Sequence, residues 1–197
     1  GWGVVDVNYS GSTGFGRNYR DRLKGSWGLA DVCDCQSAAK FLIDSGKVDK
    51  HLIAIEGSSS SGLTALLCLC NSDIFRVAAC RYAVTDLISL SKSTHRFEKG
   101  YFNYLLGSME ENFEAYNFRS PIKQVEHIHC PIIFFQGLKD NVVPSEQTFN
   151  LVNLLKKSNL IVENHTYPDE GHGFKDPKVK IDVLTKTERF FNTHLGI

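Results

Sequence analysis

The sequence carries no excess of either charge: Lys plus Arg and Asp plus Glu each total 22 in 197 residues, and no basic block interleaves with aromatics. Without that electrostatic footprint no nucleic-acid partner is expected. No apolar run approaches the ~20 residues of a membrane-spanning helix and no signal-peptide pattern is visible, so no membrane partner is expected from this stretch. The six cysteines, Cys33, Cys35, Cys68, Cys70, Cys80 and Cys130, include no Cys-x-x-Cys with partner histidines. Two pairs are Cys-x-Cys on segments that read as helices, where residues two apart face different ways, which is poor geometry for a shared zinc. They read as small core residues, and point to a reducing, cytoplasmic setting. No internal repeat occurs, and the only low-complexity segment is one run of serines. The densest basic stretch, residues 17–24, is interrupted by Asp21 and reads as a solvated surface loop.

What is present suffices for one sizeable core, with 42% hydrophobic residues in 197. Short apolar runs predict five strands, near 3–9, 51–56, 76–82, 131–136 and 160–167. Longer periodic segments predict helices near 28–44, 61–70, 94–106, 144–157 and 177–194. Such alternation predicts an α/β fold with a doubly wound, mostly parallel sheet.

Three turns in this frame carry chemistry-bearing residues. The first is Gly57-Ser58-Ser59-Ser60-Ser61-Gly62, between the strand near 51–56 and a helix. A serine there projects from the sheet beside the free N–H groups and positive end of a helix, where an oxyanion can be stabilised. Ser58, Ser59, Ser60 and Ser61 are all chemically possible nucleophiles. The second turn, residues 136–144, places Asp140 just past a strand end. The third places His172 between Gly171 and Gly173, which allow a tight turn that exposes the imidazole. The order serine, aspartate, histidine is that of α/β-hydrolases. Asp6, Asp86 and Asp169 are rival acids; Asp140 fits the strand-end position best.

These segments, with residues 4–17, together resemble the catalytic domain of the prolyl oligopeptidase family of serine peptidases, and most of all its acylaminoacyl-peptidase and dipeptidyl-peptidase branches. The four stretches span almost the whole chain. The resemblance implies the α/β-hydrolase fold and a catalytic triad of Ser59, Asp140 and His172, with Ser59 selected by Gly57 before it and Gly62 after it. It also implies two oxyanion donors, the Tyr9 hydroxyl and the Ser60 N–H. Phe97 and Tyr101 lie where the family builds its substrate pocket, although aromatics at helical spacing equally suit a core. The implied reaction is hydrolysis of short peptides through an acyl-enzyme, with no metal and no organic cofactor. A carboxyl-ester hydrolase would use the same triad, and a non-catalytic interaction domain with a decayed elbow is the third reading.

The chain departs from the family's Gly-x-Ser-x-Gly at Ser61, which stands for the second glycine and is expected to crowd the helix against the strand. By the same resemblance the chain begins in the family's fourth strand. It is therefore expected to be one partial catalytic domain, residues 1–197, with the N-terminal strands and an upstream β-propeller absent. Unpaired backbone groups beside the nucleophile strand are expected to make this stretch fold poorly alone.

Overall fold

The computed structural model describes every residue but 94 and 95, and side chains outside 93–99. In chain order its elements are α1 (Arg17–Arg20), α2 (Ala30–Asp44), β1 (Ala54–Ser58), α3 (Ser59–Asn71), β2 (Val77–Arg81), α4 (Leu87–Ser93), α5 (Arg96–Leu106), α6 (Phe113–Phe118), β3 (Ile132–Gly137), α7 (Ser145–Lys157), β4 (Val162–Tyr167) and α8 (Pro177–Leu195). The strands form one parallel sheet in the order β1-β2-β3-β4.

Four of the five expected strands form. In register, Ile55 lies beside Ala78, Cys80 beside Phe134, and Phe134 beside Asn164. Side chains alternate across a strand, so the apolar runs of β2 and β3 serve two cores. Ala78, Cys80, Ile132 and Phe134 face a cluster that includes Leu63, Leu66 and Leu67 of α3 and Leu151 and Leu155 of α7. Val77, Ala79, Ile133 and Phe135 face Val183, Phe190 and Phe191 of α8. Helices thus cover both faces.

The expected strand at 3–9 does not form. Those residues are largely exposed, Val4 at 88% and Val5 at 57%, and no strand of the described chain lies beside them. An apolar, β-branched sequence cannot make a ladder without a neighbour, because its N–H and C=O groups must be paired across strands. The basic stretch at 17–24 is also more ordered than a solvated loop: it forms α1 and a following 3-10 turn, and Leu23 is buried.

The last helix shows how local sequence sets its ends. Asp176 caps α8, accepting the Lys178 N–H at 2.8 Å; Pro177 fills the first position, and Gly196 closes the helix in the left-handed conformation. This fixes the far side of the loop that carries His172.

Candidate active site

The serine turn is a sharp, strained junction. Ser59, the first residue of α3, has φ of +53°, which costs a non-glycine residue about 1–2 kcal/mol. Two glycines make it possible. A Cβ on Gly57 would lie 2.2 Å from the Ser61 carbonyl oxygen, and one on Gly62 would lie 2.5 Å from the Ala83 Cβ. The Ser59 carbonyl accepts the Val84 N–H at 3.2 Å, tying the turn to the loop after β2. The expected crowding at Ser61 does not occur. Its hydroxyl turns back to accept the Ser58 N–H at 2.9 Å and to donate to the Ser58 carbonyl at 2.8 Å. The close approach of helix to neighbouring backbone falls on Gly62, one residue later.

Three sequence-distant side chains meet here. His172 Nε2 lies 2.9 Å from Ser59 Oγ, and His172 Nδ1 lies 2.8 Å from Asp140 Oδ2. A carboxylate accepts and cannot donate, so the Nδ1 proton points to Asp140 and the Nε2 lone pair is left for the serine hydroxyl. Among the four serines of the run, Ser59 is the one whose hydroxyl reaches the imidazole. The Asp140 side chain has no exposed surface, while that of His172 is 25% exposed. Buried under the loop, Asp140 Oδ1 accepts the N–H groups of Val142 and Val143, both at 2.9 Å.

The loops that hold this chain are braced by residues that sequence reasoning missed. Glu170, buried, accepts the Lys175 and Asp176 N–H groups at 2.8 Å each and so closes the turn around His172. Its own carbonyl accepts the Lys139 N–H at 2.9 Å, and a Cβ on Gly137 would lie 2.5 Å from that oxygen. The acid loop and the histidine loop are therefore in backbone contact. Gln136, fully buried, accepts from the Thr148 hydroxyl at 2.7 Å and donates to the Val143 carbonyl at 3.3 Å. Its polarity at the end of the apolar run 132–135 was the available signal. Tyr82, with φ of +38°, sets its ring edge-on to His172 at 4.8 Å between centroids. Of the rival acids, Asp169 pairs with Lys139 at the surface and Asp86 accepts the Ser89 N–H at the start of α4.

The sequence profile of the prolyl oligopeptidase family matches residues 1–197, the whole chain. The chain belongs to the prolyl oligopeptidase family. Among curated relatives, dipeptidyl peptidase family member 6 of Caenorhabditis elegans is 29% identical over 203 residues, covering 100% of this chain and 27% of that protein. The acylamino-acid-releasing enzyme of Mus musculus is 30% identical over 207 residues, covering 100% and 28%. Among solved structures, a Mycobacterium tuberculosis puromycin-hydrolyzing peptidase superposes with a TM-score of 0.95 at 36% identity, over 98% of this chain and 29% of that one. The fold is thus that of an α/β-hydrolase. The chain spans under a third of the length of these relatives.

The remaining candidates of this prolyl oligopeptidase family member are Ser60, Tyr9, Tyr101 and Phe97. Ser60 follows it in the first turn of α3, where backbone N–H groups have no partner within the helix. Tyr9 sits in a turn closed by Ser12, whose N–H and hydroxyl both donate to the Tyr9 carbonyl, at 3.0 and 2.8 Å. Burial, and then the charge of Asp31, push the Tyr9 phenol above its ordinary range, so it stays a hydrogen-bond donor at neutral pH. Tyr101 on α5 is 61% exposed and lies near enough to Tyr9 to bear on its ionisation. Phe97 lies outside the described side chains.

Proposed function

We propose that this chain is the catalytic part of a serine peptidase that hydrolyses short peptides through an acyl-enzyme. The observation that carries the reading is the unbroken hydrogen-bonded chain from Ser59 through His172 to the buried Asp140, entered from a serine with positive φ. Ser59 Oγ attacks the carbonyl carbon while His172 Nε2 takes its proton. Asp140 keeps the ring in the required tautomer and stabilises its positive charge. The Ser60 N–H and the Tyr9 hydroxyl take the developing oxyanion, a pair of contacts of which each typically supplies about 3–4 kcal/mol. His172 returns the proton to the departing amine. Water then repeats the sequence on the ester, releasing the acid and restoring Ser59.

The names of the relatives, an acylamino-acid-releasing enzyme, a dipeptidyl peptidase and a puromycin-hydrolyzing peptidase, support release of acylated amino acids or of dipeptides as the activities to test. Tyr101, exposed near Tyr9, is the wall of the substrate pocket in this reading, and Phe97 shares its helix. An upstream β-propeller in the complete protein, implied by the family resemblance, would restrict substrate size.

Fluorophosphonate labelling of the intact protein, with peptide mapping, tests the proposal. Modification at Ser59 that vanishes in Ser59→Ala is the expected result, followed by turnover of acyl-aminoacyl or dipeptidyl anilides. Folded protein that takes no label would overturn it. Turnover of simple esters alone, with every anilide refused, would replace the peptidase with an ester hydrolase on the same triad.

A further inference from the structure

The two proposed oxyanion donors come from elements that no sheet ladder joins. Tyr9 lies in the N-terminal turn and Ser60 in the first turn of α3. An oxyanion hole needs its donors held to within tenths of an ångström, about 2.7–3.1 Å from one oxygen. Helix α2 supplies a link between them. Asp31 and Asp34, three residues apart, share one face of its first turns. Asp31 is fully buried; its Oδ2 accepts from the Thr64 hydroxyl on α3 at 2.5 Å, and its Oδ1 accepts the Gly28 N–H at 2.7 Å. The same Thr64 hydroxyl lies 3.4 Å from the Ser60 carbonyl. Asp34 reaches the other way: its Oδ2 accepts the N–H of Ser10, the residue after Tyr9, at 2.7 Å. Ser10 is itself buried.

We infer that Asp34 is a positioning residue for the oxyanion hole, holding Tyr9 at a set distance from Ser60, with Asp31 and Thr64 anchoring the other end of α2. The inference rests on the reading of Tyr9 and Ser60 as oxyanion donors. Asp34 touches no reacting atom and acts through one peptide N–H. A carboxylate is suited to that task because a charge-assisted bond to a backbone N–H is shorter and stiffer than a neutral one. The side chain is half-buried, so its replacement leaves the two cores untouched.

The test is the second-order rate of fluorophosphonate labelling at Ser59 in the intact protein, for Tyr9→Phe, Asp34→Ala, Asp34→Asn and the double variant Tyr9→Phe/Asp34→Ala. Tyr9→Phe is expected to slow labelling by about 10²–10³-fold, the loss typical of one oxyanion donor. Asp34→Ala should slow it by about tenfold or more, since a misplacement on the order of 1 Å costs up to about 10²-fold. Asp34→Asn keeps an oxygen for the Ser10 N–H and should stay within about threefold of wild type. The double variant should be no slower than Tyr9→Phe, because Asp34 has nothing left to position. Effects that multiply, or no rescue by Asn, would make Asp34 merely structural and overturn the inference. Unchanged labelling in Tyr9→Phe would instead bring down the oxyanion reading, and this inference with it. If Asp34→Ala does not fold, Asp34→Glu takes its place: it moves the acceptor by one methylene and should slow labelling only while Tyr9 is present.

Discussion

Removing the side chain of Ser61 separates two opposed accounts of the serine run. The family's glycine at this position suggests that Ser61 is a burden, so that Ser61→Gly would relieve the elbow. The structure argues the reverse, because the Ser61 hydroxyl makes two bonds to the Ser58 backbone, at 2.9 and 2.8 Å. Losing one such bond costs about 0.5–1.5 kcal/mol net. Alanine in the first turn recovers roughly 0.5 kcal/mol through helix propensity, whereas glycine loses a further ~0.5 kcal/mol. With both bonds lost, Ser61→Ala should therefore fall about 0.5–2.5 kcal/mol below wild type, and Ser61→Gly about 1.5–3.5 kcal/mol below. For a domain of this size each kcal/mol is worth about 2–4 °C in Tm. Calorimetry of the intact protein should give the order wild type, then Ala, then Gly, with fluorophosphonate labelling slowing in the same order as the elbow loosens. A Ser61→Gly protein as stable as wild type, or more stable than Ser61→Ala, would refute the capping argument and restore the crowding one.

Gly57→Ala should be far more damaging than either, since its Cβ would meet the Ser61 carbonyl oxygen at 2.2 Å and backbone cannot rotate away; an overpacking cost of about 3 kcal/mol or more, with loss of Ser59 labelling, is expected, and a stable, active variant would contradict the geometry. Burial raises the Asp31 carboxyl above its ordinary range, with bonds from Thr64 and Gly28 offsetting part of the rise. For an acid with a raised folded pKa the folded chain holds the proton more tightly, so stability falls as pH climbs from about 4 to the folded value and is level above it. Asp31→Asn keeps an oxygen for the Gly28 N–H and turns the Thr64 contact round, its NH2 donating to the hydroxyl oxygen, without the charge; melting curves across pH 4–8 should show it gaining on wild type through that window, and parallel curves would exclude Asp31 as the source. Burial holds the thiols of Cys70, Cys80 and Cys130 up at about 12, while Cys33 is exposed. Iodoacetamide on native protein at pH 7.5 should modify Cys33 well before those three, and early alkylation of Cys80 would mean that the second strand is not buried as described.

Turn chemistry and hydrophobic period make much of this protein legible in its sequence. Glycines flank the serine run because other atoms approach too closely for a side chain, Gly173 follows His172 where the backbone is left-handed, and Asp140 follows an apolar run because a strand must end before a loop can begin. Those requirements are written in neighbouring residues, and so the α/β alternation and the candidates Ser59, Asp140 and His172 are readable from the chain itself. The strand expected at 3–9 fails because pairing is not local: its β-branched residues suit a strand, but no strand of the described chain lies beside them. Even the Ser61 hydroxyl, whose partner is only three residues away, depends on a rotamer that the sequence does not encode. The hydrogen bonds that join Ser59 to His172 and His172 to Asp140, and the bracing by Tyr82, Gln136, Glu170 and Asp31, were likewise decided only by the tertiary structure. His172 is 113 residues from Ser59 and Thr64 is 33 from Asp31, and the distances and burial that join such partners exist only once the chain has folded.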